Sequence, residues 1–186
     1  MSARRRFFHF YSWLTILFLV GCFGGVKRTG KVIGYEPGRV LTKKGYYQVG
    51  ILPEGWRRIN LEQALVAFRN EALQSTIATD SFCDQAYDDS SLPILTRHLF
   101  AGLQKIEVLQ EQSFTLSDRG ALRTMMKATL DGVPVMLEIV VVKKNWCLFD
   151  FYLVSPPERF AGATADFETF YRGFSYAEDG SWRKKR

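Results

Sequence analysis

The chain is 186 residues long, 47% hydrophobic and 15% aromatic, with a formal net charge of +6. The charge is unevenly spread: Ile51 to Trp182 holds 12 basic and 18 acidic residues, so the positive excess lies toward the two ends. That distribution excludes the basic folded face a nucleic-acid binder requires. Three cysteines without a Cys-x-x-Cys pair, together with two histidines, exclude the common zinc and dithiol redox motifs.

Residues 1–21 open with Arg4, Arg5 and Arg6 and continue into an apolar run richest from Trp13 to Val20. A positive segment, a short apolar segment and a small residue before the break are the parts of an export signal. The run falls short of the roughly 20 apolar residues needed to cross about 30 Å of hydrocarbon, which favours cleavage and export over a permanent membrane span. Leu19, Val20, Gly21 and Cys22 resemble the bacterial lipobox, in which the cysteine sulfur receives a diacylglyceryl group and becomes the new amino terminus. The resemblance implies that Cys22 is a lipidation site and that residues 1–21 form a lipoprotein signal peptide. Two or three acyl chains hold a protein at a membrane where one does not. Phe23, rather than an aspartate, follows the cysteine, and by resemblance to the enteric sorting pattern this implies the periplasmic face of the outer membrane.

Residues 22–45 read as a flexible basic tether. Lys27, Arg28, Lys31, Arg39, Lys43 and Lys44 stand against the single acid Glu36, among repeated glycines. Beside a lipid anchor, each cation near anionic headgroups would contribute about 1 kcal/mol. Residues 46–176 form one domain of about 130 residues, large enough for its own core, and residues 177–186 form a basic tail.

Within the domain, Pro53, Glu54 and Gly55 supply a turn between β-prone flanks in GYYQVGILPEGWRRI. EQALVAFRN and STIATDSFC read as a hairpin turning near Asn70 to Leu73. A helix is predicted over 91–104, with Ser91 as cap, Pro93 in the first turn and Leu95, Leu99 and Leu103 at four-residue spacing. Four strands follow, separated by Asp118 to Gly120, Asp131 with Gly132, and Lys143 to Asn145. Asp-Gly is a strong hairpin signal, so the four form an antiparallel meander. A closing helix in PPERFAGATADFETFYRGF carries an aromatic face. Helices packed on an antiparallel meander define the α+β class.

The sequence of LPEGW, the AFRN and STIATDSFC hairpin, a helix, a meander and CLFDFYLVSPPERF leading into FETFYRGF resembles the PsbP and Mog1-like fold of α/β/α sandwiches, over about Tyr46 to Tyr176. Many bacterial lipoproteins share it. The resemblance implies an adaptor, assembly or small-molecule or protein-binding role and supplies no catalytic residues.

The residues themselves point the same way. His98 is the only histidine after the export segment and stands in a predicted helix beside Arg97 and Leu99, so catalysis is not expected. Asp84, Asp88 and Asp89 precede that helix without the glycine and terminal glutamate of a calcium loop, and no cofactor or metal is expected. Cys83 and Cys147 lie beside β-prone stretches. In an oxidising compartment they would form a disulfide stabilising the fold by roughly 4 kcal/mol, the alternative being two buried thiols.

Nine aromatic residues crowd between Phe149 and Tyr176. Most are expected in the core, and Phe160, Phe167, Phe170 and Tyr171 offer a candidate ligand or partner face. Asp150, between Phe149 and Phe151, is expected at the surface. The leading expectation is a lipid-anchored periplasmic lipoprotein that binds a protein or envelope component without catalysis. The alternative is a carrier of lipid or another small apolar ligand, auxiliary to an envelope transport system.

Overall fold

The computed structural model of the protein describes residues 31–61, 66–83 and 89–176; Cys22, Asp84, Asp88 and the basic tail lie outside the described residues. The strands are β1 (Val32–Glu36), β2 (Arg39–Thr42), β3 (Gly45–Gln48), β4 (Trp56–Ile59), β5 (Val66–Asn70), β6 (Ser75–Cys83), β7 (Leu103–Leu116), β8 (Arg119–Leu130), β9 (Val133–Lys144) and β10 (Cys147–Ser155). Helix α1 (Leu92–His98) lies between β6 and β7, and α2 (Phe160–Arg172) follows β10.

The main sheet is antiparallel, in the order β4-β5-β6-β10-β9-β8-β7. Its centre follows from composition. Strand β9 carries the run Ile139, Val140, Val141 and Val142, buried on both faces, as β-branched side chains on a covered strand should be. Three tight turns connect β7 to β10, at Ser117 and Asp118, at Asp131 and Gly132, and at Asn145 and Trp146. Both central residues of each have positive φ, between 49° and 83°. This is the twist-matched hairpin geometry that aspartate, asparagine and glycine favour. The first and third turns sit one residue away from the predicted boundaries.

Strand alternation sends two sets of side chains to opposite faces. Phe149, Phe151 and Leu153 join Ile77, Val140 and Val142 beneath α2. Leu148, Ile139, Val141, Leu137 and Met126 form the second cluster with Leu95 of α1. The sheet between two helical layers is the expected α+β sandwich.

Two expectations are corrected. Residues 31–45 are not tether: β1, β2 and β3 form a small antiparallel sheet that delivers Val32, Val40 and Tyr47 to the core under α2. Alternating apolar residues, hidden among the lysines and glycines, drive this. The β-prone flanks of the Pro53 turn are strands as expected, β3 in the small sheet and β4 in the main one. Helix α1 ends at His98 instead of 104, where Gly102 (φ 87°) turns the chain into β7. Leu103 reaches the α1-side cluster from a strand, so the four-residue leucine spacing spans two elements.

Candidate functional site

The disulfide pairs Cys83 with Cys147, which stand opposite each other in the β6–β10 register. Both face the α2-side core and are buried.

Phe160, Phe167, Phe170 and Tyr171 are not a face open to a ligand. All four are buried in the α2-side core. Phe170 meets Phe68 at 5.8 Å and Phe151 at 6.2 Å edge-on, and Tyr171 meets Phe167 at 5.2 Å and Phe114 at 5.9 Å. These edge-to-face distances are those of a filled aromatic core. Periodicity correctly set them on one helix face and could not tell a packed face from a receptive one.

Helix α2 is seated by two further devices. The Trp56 indole N–H donates to Asp166 Oδ2 at 2.8 Å. Gly50 passes so close to the helix end that its N–H donates to the Phe170 carbonyl at 2.9 Å, and a β-carbon on Gly50 would meet the Thr169 carbonyl oxygen at 2.0 Å. Gly173 approaches the same crossing, where an added β-carbon would stand 2.2 Å from Gly50 N. Between β4 and the β5–β6 turn, Glu54, Trp56, Arg57, Asn70 and Glu71 line an open surface cleft.

The α1 face differs. Asp150 is fully buried, not at the surface, and stands directly opposite Asp80 across the β6–β10 register. Neither carboxyl oxygen of Asp150 has a hydrogen bond of regular geometry. Burial in this apolar layer pushes its pKa up to about 8, helped by the Asp80 charge, while the nearby Tyr152 phenol pulls the other way. Thr96 on α1 and Thr124 on β8 are also buried with unpartnered hydroxyls. The alternation rule did place Asp150 opposite Phe149 and Phe151. What it missed is that this face is buried too at Asp150, which a single strand's sequence does not reveal.

Farther along the same face the cover stops. Helix α1 has only seven residues and packs on β8 and β9. The edge strand β7 is exposed along nearly its whole length. Val108 pairs with Met126 and Leu103 with Leu130, positions whose neighbours belong to the α1-side cluster. Ile106 flanks Glu107 on the same side as Val108. Beside them Leu130 and Val133 close the β8–β9 hairpin, and Ile94 projects from α1. Ile94, Ile106, Val108, Leu109, Leu130 and Val133 are each 37–61% exposed. They form an exposed aliphatic strip beside α1, set among the charged residues Lys105, Glu107 and Glu111 of β7.

His98 is exposed at the end of α1. Among the described residues no three His, Cys, Asp or Glu side chains gather as metal ligands, and no helix is long and apolar enough to cross a membrane.

An antiparallel sheet between two helical layers, with one layer short, is a PsbP-like α+β architecture. Cyanobacterial PsbP from Synechocystis sp. PCC 6803 matches it with a TM-score of 0.57 and 15% identity, covering 85% of this chain and 99% of that one. A Bacteroides thetaiotaomicron protein matches with a TM-score of 0.57 and 8% identity over 78% of this chain and 50% of its own, so this chain spans about half of that protein. A Pseudomonas aeruginosa protein of unknown function is 11% identical over 66% of this chain, with a TM-score of 0.47. No family model and no curated protein sequence matches the chain. At these identities the likeness establishes the fold alone.

Proposed function

We propose that this protein is a non-enzymatic binding and assembly module, held at a bacterial envelope membrane through lipid on Cys22. The lipobox-like Leu19 to Cys22 supports the anchor. The Cys83–Cys147 bridge supports an oxidising compartment such as the periplasm, since such bonds persist there and are rare in the cytosol. The observation that carries the binding role is the uncovered apolar strip beside α1. Large contiguous apolar surface on a soluble domain marks an interaction site. The carrier alternative loses its motive, because the aromatic residues that suggested it pack against one another in the core.

The test is chemical cross-linking in intact cells, comparing the native chain with Val108→Glu. A defined protein adduct present with the native chain and lost with the variant is expected. Adducts indifferent to the substitution would overturn the role of the strip. Solvent extraction of the purified protein followed by mass spectrometry addresses the carrier: a stoichiometric co-purified lipid, other than the one on Cys22, would restore it.

A further inference from the structure

We infer that the strip beside α1 is an isologous interface, closed by a second copy of this chain. The inference rests on the binding reading above and names its partner. Four observations lead to it. The strip is the uncovered continuation of a core: Leu103 and Val135 are half-buried against the α1-side cluster, and Ile106, Val108, Leu130 and Val133 extend it outward. Strand β7 is a poor template for adding another strand. Its register slips twice, between Gln104 and Glu107 and between Val108 and Gln110, and such bulges blunt an edge. Docking is therefore by the face and not by edge hydrogen bonds.

The charges along the strip are self-complementary. The two register shifts keep both charges on the side of Val108: Lys105 shares with Ile106 the position opposite Ala128, and Glu111 pairs with Thr124, the partner of Ile139 in the α1-side cluster. A two-fold axis through Val108 runs the two strips antiparallel and sets each Lys105 against the other copy's Glu111, giving two opposite-charge contacts from one. A bilayer surface is a worse occupant, because Glu111 at one end and Asp131 at the hairpin tip oppose anionic headgroups.

The size is also suitable. Covering six aliphatic residues that are 37–61% exposed removes roughly 1,000 Å² from water over two copies, the lower bound of a specific interface. Such a dimer dissociates when dilute and forms when anchoring concentrates both copies on one membrane.

The experiment uses the full chain in its own cells, carried as two differently tagged copies, with a photo-reactive phenylalanine analogue replacing Val108. Illumination should yield one adduct of twice the chain mass that contains both tags. Lys105→Glu and Glu111→Lys should each lower its yield about threefold or more, and the double exchange should restore it, because the pairs cross between copies. Sedimentation of detergent-solubilised charge variants, without the analogue, should rank the same way. An adduct to a different protein would overturn self-pairing while leaving the binding reading intact. No adduct at all would overturn both. Single reversals without effect, or a double exchange that fails to restore the dimer, would overturn the two-fold arrangement.

Discussion

A carboxyl group in an apolar layer, opposite a second carboxylate, holds its proton at neutral pH, and that is the condition of Asp150. The consequence for stability has a definite sign. Unfolded, the group titrates near 3.8; folded, near 8. Between those values the native state keeps a proton that the unfolded chain has released, so the contribution of Asp150 declines as pH rises through the window and levels off above it. At about 1.4 kcal/mol per unit, the decline is on the order of several kcal/mol. Denaturant unfolding at pH 5 and pH 9 should show the native chain losing more stability than Asp150→Asn; equal losses would contradict the assignment. This residue was half legible. Alternation along Phe149, Asp150 and Phe151 gave its face, but its burial depends on what covers that face of the sheet, and its neighbour Asp80 lies 70 positions away in sequence. Cys83 and Cys147 were more legible, because each ends or begins a strand whose pattern is plain.

Among the described glycines, Gly50 at its crossing with α2 leaves the least room for a β-carbon. A β-carbon at Gly50 would fall 2.0 Å from a backbone oxygen, which no rotamer change relieves. Gly50→Ala should therefore displace α2 and destabilise the protein by more than the 1–3 kcal/mol typical of overpacking. Thermal unfolding measures this, and a loss below 1 kcal/mol would refute the rigidity of the crossing. The meander and its turns were readable because Asp131-Gly132 and the alternating strands are local signals. The β1–β3 sheet was not, because Gly38 and the lysines at 43 and 44 that mark its turns read equally as a loose linker. The end of α1 was missed for a related reason: Leu103 keeps the helical spacing while occupying a strand, and the deciding signal is Gly102.

For the molecule as a whole, the two faces of the main sheet are closed unequally. The α2 face is sealed by aromatic packing, by the small sheet and by the Cys83–Cys147 bridge beneath it. The α1 face is covered over β8 and β9 and open at β7. The bridge closes a loop of 64 residues, and its removal by Cys83→Ala with Cys147→Ala should cost about 4 kcal/mol in the chain-entropy account. Equilibrium unfolding should show a lowered midpoint, and an unchanged midpoint would contradict a stabilising role. The sandwich class was legible from element order alone. The open strip was not, since Ile106, Val108 and Leu109 read as ordinary strand residues until the length of α1 is known. The lipid anchor on Cys22 is read out by the mass of the amino-terminal peptide of protein isolated from its own membranes. A peptide beginning at Cys22, with a diacylglyceryl thioether on its sulfur, is expected; a peptide beginning upstream of Cys22, or bearing a free thiol there, would refute the anchor.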